Sequence, residues 1–478
     1  MTEQELNLGE TRTIEFKKEL PAESSKWIKT IVAFANGAGG KLVIGISNQR
    51  EVIGIPENTD IFVLRDKISD TIGQMCTPQI MFDMYQENFN DRLLLVVEVF
   101  PGNDTPYFIK SLGKENGTFI RLNATTRNAD FTTLDELELR KKRRYYDELP
   151  FTELDVTEDD IKYLCADFSK RAKTEITKEM LVNMHVLQKI ENCLVATKAY
   201  AIFLGKHDYL TRIQCARFKG CERVHFIDKK DFSGPLLEQV DGAYHFVLEH
   251  IHMKAEINGL YREESYELPE KAIRELIMNA VIHRNYMMSS SIQVAVYDDR
   301  LEISSPGGFY GTLTLQEALT GRSSIRNKVI AAVCERLDLV EGWGTGIKRI
   351  VELCDELQIR PPEFLEIGDM FRVNFYRPSY NPQEAEHEGK DVSESNVQEI
   401  SDIMSDKMSD KMSDKELERL KKIFDYLRAH ESISSSIAAQ LIGEEIKTAN
   451  RLLVKAVDMK LLKAQGANKN RTYMLIGK

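Results

Sequence analysis

Glu275, Asn279 and His283 stand four residues apart in the segment Leu268–Tyr286. On a helix that spacing sets all three along one stripe. The stretch that holds them is the most informative in the chain. Ala272, Ile273, Leu276, Ile277, Ala280, Val281 and Ile282 supply the packing surface. Pro269 suits the first turn, where its missing N–H is not needed. His283 has a plainer reading too, as a side chain that satisfies a buried hydrogen bond near a domain seam. Two glycine-rich stretches follow, Pro306-Gly307-Gly308 and Gly342-Trp343-Gly344-Thr345-Gly346. The second runs into a helix from about Ile347, and such a loop offers unobstructed N–H groups and a positive dipole end to a phosphate. Arg322 and Arg326, ahead of a helix expected over Lys328–Leu337, could reach a phosphate or an acidic partner surface.

Two more sets of residues carry chemistry. Glu10 and Glu15 form a carboxylate pair five residues apart, the donor type that holds Mg²⁺ for phosphodiester cleavage. The alternative is that Glu15 and Lys17 belong to a structural or nucleic-acid-binding strand. Arg121 and Arg127 flank the turn at 123–126, and Arg140–Arg144 is the densest basic run, including Arg143 and Arg144. Basic clusters give salt-dependent, sequence-blind affinity for phosphates, although a run behind a helix also offsets its dipole.

The elements that position these groups alternate between helix and strand, which predicts a mixed α/β, multidomain fold. A first domain spans 1–148, with a helix over Lys26–Phe34 and strands at Lys41–Ile46, Leu93–Phe100 and Gly117–Leu122. A connecting α/β region follows over 149–233, with helices at Val156–Ala172 and Lys178–Val186 and strands at Tyr200–Leu204 and Ile213–Phe218. A third region, 234–378, opens on a helix expected to reach about Ala255. It carries the stripe, strands at Ser291–Val296 and Leu301–Ser304, and both glycine stretches.

Charge separates the remainder. The 478 residues carry a net charge of −11, against a protein that coats nucleic acid along its whole surface. Residues 379–414 carry −7 and repeat S-D-x-M from Ser401, which reads as an acidic flexible linker, or as a short helical stripe that pairs with a second copy. Residues 415–478 carry +6. In that basic end Ser413-x-x-Glu416 is a capping-box signature, and helices are expected from there, over Ser436–Ile442 and over Glu445–Met459, with a hairpin tipped by Gln465–Asn470. The seven cysteines form no C-x-x-C pair, the start of the chain has no basic-then-apolar leader, and no apolar run spans a bilayer. A cytoplasmic protein without membrane contact is expected.

The words Gly9–Lys17, Ile31–Asn36, Gly39–Ile46 and Val52–Ile55 resemble the Schlafen-type AlbA-like domain. That resemblance implies a metal held by Glu10, Glu15 and a later aspartate, but Ser47 and Asn48 occupy the aspartate's place. The order Ala272–Tyr286, Asp299–Ile303, Ser305–Gly308 and Gly342–Ile347 resembles the divergent Bergerat ATP-binding fold of the GHKL superfamily, in its branch of bacterial transcriptional regulators and RecG-like proteins. By that resemblance ATP and Mg²⁺ are the cofactors. Asn279 would ligate the metal and Glu275 would act as general base. His283, Gly307, Gly308, Gly344, Thr345 and Gly346 would complete the nucleotide site. Ser304-Ser305 stands where such proteins carry an adenine-binding aspartate, which leaves open a scaffold with a degenerate pocket. The basic end resembles a winged helix-turn-helix. Lys447, Thr448, Asn450 and Arg451 would face the major groove and Lys469 and Arg471 the flanking backbone, or the module would make protein contacts.

The expected function is a DNA-binding, nucleotide-responsive transcriptional regulator that binds duplex DNA as a homodimer or larger homo-oligomer. The alternatives are an ATPase of a defence or repair system, or a metal-dependent nuclease acting through the first domain. No G-x-x-x-x-G-K-[ST] loop is present to support a helicase motor.

Overall fold

A helix that is apolar all round must be buried on all sides, and the first domain is built on one. The computed structural model describes residues 2–191, 193–258, 261–340, 344, 346–380, 414–429, 433–458, 462–465 and 472–475. Two compact units are present, Met1–Tyr380 and Asn381–Lys478. Strand β1 (Ile14–Lys17), helix α1 (Ser25–Asn36) and β2 (Gly40–Ile44) are followed by α2 (Ile61–Met75) and the hairpin β3 (Phe82–Phe89) and β4 (Arg92–Val99). The sheet order is β1-β2-β4-β3, with β1 and β2 parallel and the other pairs antiparallel. From Trp27 to Asn36 every α1 residue but Lys29 is buried. Asn36 ends the helix inside the core. Its amide nitrogen donates to the carbonyls of Tyr107 (2.8 Å) and Phe119 (3.0 Å), and its oxygen accepts from the Tyr107 N–H (2.8 Å), so the buried side chain is satisfied. A second hairpin, β5 (Phe119–Leu122) and β6 (Thr125–Asn128), and helix α3 (Phe131–Lys141), capped by Asp130, close the domain.

Glu15 and Arg121 meet inside this domain. Glu15 Oε2 lies 2.6 Å from Arg121 Nη1 and its Oε1 lies 2.5 Å from Lys17 Nζ. Arg121 also donates to the carbonyls of Thr11 and Ile14 and to Thr126 Oγ1. The expectation that Arg121 meets nucleic acid is therefore corrected, since all three of its nitrogens are engaged and its side chain is only 2% exposed. The metal expectation for Glu10 and Glu15 is corrected on the same ground. Two cations neutralise Glu15, Glu10 Oε1 accepts the Phe16 N–H (3.0 Å), and no group of three metal-ligating side chains occurs among the described residues.

The next region differs from its expected division. Helix α4 (Glu158–Ala172), capped by Thr157, and α5 (Lys198–Phe203), capped by Thr197, precede β7 (Ile213–Lys219) and β8 (His225–Phe232). Residues 200–204, expected as strand, are mostly helix, because a short apolar run has no decisive period and the Thr197 cap decides it. After α6 (Leu236–His250) and α7 (Glu270–Ile282) come β9 (Ile292–Val296), β10 (Arg300–Pro306), α8 (Lys328–Arg336), α9 (Gly346–Glu356), β11 (Glu363–Ile367) and β12 (Met370–Tyr376). The sheet order is β8-β7-β9-β10-β12-β11, and only β7 and β9 run parallel. The boundary expected at 233/234 thus cuts through one sheet, and a continuous core runs from Ile161 to Phe375. Helix α6 also stops short of Ala255. Ile251 turns extended, the His252 carbonyl accepts the N–H of the buried Glu267, and the Glu267 carboxylate accepts the His252 N–H and holds Arg377 at 2.8 Å.

The second unit holds α10 (Asp414–Ala429), β13 (Ile433–Ser434), α11 (Ser435–Ile442), α12 (Ile446–Asp458), β14 (Leu462–Gln465) and β15 (Thr472–Leu475), with sheet order β13-β15-β14. Leu420, Ile423, Leu427, Ala449, Leu452 and Leu453 pack its core. Strand β13 has no counterpart in the expected pattern, since two residues show no period. The S-D-x-M repeats, Ser413 and the hairpin tip lie outside the described residues.

Glu15→Ala is expected to cost about 3–5 kcal/mol, because it leaves a buried guanidinium with less compensation. A urea titration followed by circular dichroism reads this as a lower midpoint, and the pair Glu15→Leu with Arg121→Met is expected to regain most of it.

Candidate functional site

Helix α7 has two unlike faces. Ala272, Ile273, Leu276, Ile277 and Val281 are buried in the core, which fixes the helix in rotation and leaves Glu275, Asn279 and the C-terminal His283 on a cavity of about 160 Å³. Asn279 Nδ2 donates to Glu275 Oε1 at 3.2 Å. Burial, and then the charge of Arg326, push the His283 imidazole down to about 4, so it is neutral across the physiological range.

All the described glycines expected at the site converge here. Gly346 starts α9 directly over the stripe, where a Cβ would lie 2.1 Å from Glu275 Oε1 and 3.4 Å from Asn279 Nδ2. Gly344 has φ +70°, and a Cβ there would lie 2.6 Å from the Gly321 carbonyl oxygen. On the opposite wall Gly307 has φ +98° and no room for a Cβ beside Arg326 Nη1. Gly308 abuts Glu366 Oε1. Thr345, Gly342 and Trp343 lie outside the described residues.

Gly346 closes on Glu275 and Asn279, while Phe309, Phe364 and Phe371 form an aromatic group in the lining, with the Phe309 and Phe371 rings edge to face at 5.0 Å. Ser305, at the position where an adenine-binding aspartate is expected, donates to the Ala280 carbonyl (2.7 Å) and so is spent on the fold. Arg326 donates from Nη1 to the His283 carbonyl (2.6 Å) and from Nη2 to the Gly308 carbonyl (3.0 Å), and Asn327 caps the same helix end through the carbonyls of Ile282 and Arg284. Sequence reasoning missed Glu366 and Glu136 at the rim, because they reach it only through pairings distant in the chain. Such a site measures less than the roughly 300–1,000 Å³ usual for small-molecule pockets.

The remaining expected residues lie elsewhere. Arg127, Arg143 and Arg144 are exposed, with Arg144 paired to Glu148, whereas Arg140 of the same basic run turns inward to the Asn36 carbonyl. In the second unit Lys447, Thr448, Asn450 and Arg451 are exposed on α12, and Asn450 Oδ1 accepts from Ser435 Oγ (3.1 Å) and Tyr473 Oη (2.9 Å). Asn450 therefore serves the packing of the unit as well as its surface. Lys469 and Arg471 lie outside the described residues. Among the described residues no helix is long and apolar enough to cross a membrane.

Comparison with known proteins divides along the same lines. Residues 10–130 match the family model "Schlafen, AlbA_2", and residues 289–375 match the model "Putative ATP-dependent DNA helicase recG C-terminal". The second match begins after α7, so the stripe precedes it. No curated protein matches the chain. Among solved structures, the DIP2311 protein from Corynebacterium diphtheriae is 19% identical over 97% of this chain and 92% of its own, with a TM-score of 0.42. The N-terminal domain of a RecG-related protein from Nitrosomonas europaea is 24% identical over 27% of this chain and 90% of its own, with a TM-score of 0.21. The chain thus joins a segment similar to the Schlafen AlbA_2 model to a segment similar to the RecG C-terminal model.

Proposed function

We propose that this protein is a nucleotide-responsive, DNA-binding regulator whose pocket takes ATP. The observation that carries the reading is the convergence of Glu275, Asn279, His283, Gly307, Gly308, Gly344 and Gly346 on one cavity, from three separate stretches of chain. The glycines bring backbone N–H groups close to bound phosphates, the start of α9 presents its positive dipole end, and the phenylalanine group accepts a flat ring. Mg²⁺ fits the donor set as a cation that prefers oxygen and is commonly held by one or two protein oxygens together with phosphates. The Asn279 amide oxygen would hold it, and it would neutralise phosphate charge. Glu275, beside Asn279, orients a water toward the terminal phosphate, which gives slow hydrolysis as a second property of the same site.

The second unit reads DNA in this proposal. Its helix–strand–helix–helix–hairpin order is that of a winged helix. Helix α12 buries Ala449, Leu452 and Leu453 and turns Lys447, Thr448 and Arg451 outward near its N-terminal end, as a major-groove helix does. One module covers few base pairs, so a dimer on a two-fold site supplies specificity. Arg127 and Arg143 of the first domain add sequence-blind phosphate affinity.

Titration calorimetry with ATP and Mg²⁺ tests the pocket. Binding is expected for the native chain, with Gly346→Ala weakening it about tenfold or more, because the new methyl drives Glu275 off its position. Asn279→Ala is expected to lose most of the heat. No heat from the native chain or from any substituted form would leave the fold as a scaffold. Duplex binding is tested separately by fluorescence anisotropy across a salt series. Arg451→Ala is expected to weaken it and lower the salt slope by about one, while Glu275→Ala leaves it unchanged. Equal binding by Arg451→Ala at every salt concentration would remove α12 as the reading helix.

A further inference from the structure

The pocket's rim is fastened by charges that belong to the first domain. Glu136, on α3, lies with Oε2 3.5 Å from Arg326 Nε and accepts a hydrogen bond from Asn285 Nδ2 at 2.9 Å. That Nε is buried and has no hydrogen-bond partner, because 3.5 Å is an ion pair rather than a well-formed hydrogen bond. Arg326 is 6% exposed, lines the cavity, and has its guanidinium 5.3 Å from the Tyr310 ring. A second tie runs through the β11–β12 turn. Arg12 Nη1 meets Glu366 Oε1 at 3.2 Å and Asn123 donates to the Glu366 carbonyl (3.3 Å). The same Glu366 Oε1 accepts the N–H of Phe309 at 2.8 Å, next to Gly308. The glycine turn is therefore tied to the first domain twice, through Arg326 to Glu136 of that domain and through Glu366 to Arg12 and Asn123 of that domain.

Resting on the reading of the cavity as a nucleotide pocket, we propose that Arg326 is a phosphate-contacting residue held in reserve by Glu136, so that an occupied pocket and a docked first domain oppose one another. An incoming polyphosphate competes with Glu136 for one guanidinium and repels its carboxylate. Asn327 keeps the end of α7 capped when Arg326 turns away, since it bonds the carbonyls on either side of His283. Linkage makes the effect reciprocal: whatever the Glu136 contact costs ATP, ATP costs the contact. Arg12 acts with the opposite sign, because it neutralises Glu366 beside the turn.

Full-length protein is titrated with ATP and Mg²⁺ as native chain, Glu136→Gln, Arg12→Gln and Arg326→Gln. Glutamine is isosteric with Glu136 and keeps an oxygen for Asn285, so the first substitution removes charge alone. Expected are about fivefold or tighter binding for Glu136→Gln, weaker binding for Arg12→Gln, and about tenfold weaker binding for Arg326→Gln. Hydrogen exchange over residues 131–141 is expected to quicken when ATP is added to the native chain. ATP binding by Glu136→Gln alone would also support the latch. Binding within twofold of native in Glu136→Gln and Arg326→Gln, with exchange unchanged, overturns the latch and leaves the pocket standing. Absence of binding in all four overturns the pocket and the latch together.

Discussion

Position 346 leaves room for a side chain only if the Glu275 carboxylate moves. The start of α9 lies so close to the polar stripe of α7 that a single methyl group would overlap the Glu275 carboxylate. That approach decides most of the geometry around it. The apolar face of α7 is locked into the sheet by Ala272, Ile273, Ile277 and Val281, all buried. The polar face is therefore fixed in direction, and the loop before α9 must come to it. A glycine there trades backbone freedom in the unfolded chain for contact at atomic distance, a trade of no use to packing, which any small apolar pair could supply. Close backbone approach to a carboxylate and an amide is useful when N–H groups must reach something that lies between.

The charge around the cavity is mixed, with Glu335 and Arg322 also on its lining. Glu275 stands with Asn279, while Arg326 closes the glycine turn. His283 lies near Arg326, and as a neutral imidazole it adds no second positive charge to a crowded corner. A ligand that satisfies this lining has an anionic portion, room for an oxygen-seeking cation, and a flat apolar portion for the phenylalanines. The first domain is neutralised internally by a different logic. Glu15, Arg121 and Lys17 form a closed set, and such a set contributes orientation within the fold and little surface field.

How much of this was legible in the sequence depends on the reach of each signal. The stripe on α7 was legible because three polar residues at a spacing of four interrupt an apolar helix, and that is a local pattern. Both glycine stretches were legible for the same reason. The helix over 198–203 was not, because a five- or six-residue apolar run fits either period until a cap is weighed. The shared sheet across 213–232 and 292–306 was hidden because β7 pairs with β9 in parallel across almost 80 residues, and parallel pairing leaves no turn to read. Arg121 was misread for a related reason. An arginine beside a turn looks exposed in sequence, and only the fold shows the Glu15 carboxylate waiting for it. Glu366 is 354 residues from Arg12, so no window of sequence brings them together.

The size of the cavity completes the physical picture. At about 160 Å³ it is smaller than the roughly 300–1,000 Å³ usual for small-molecule pockets. Two parts of its lining, the turn at 307–310 and the segment at 322–326, are held by named bonds: Phe309 N–H to Glu366, and Arg326 to the carbonyls of His283 and Gly308. Breaking them would strand a buried guanidinium and two carbonyl oxygens, which costs several kcal/mol unless something replaces the partners. An apolar ligand brings no replacement for the guanidinium. A neutral polar ligand replaces part of it. A phosphate replaces its partners with a stronger charge-assisted pair, so the clamp that narrows the cavity is also a filter for the class of molecule able to open it.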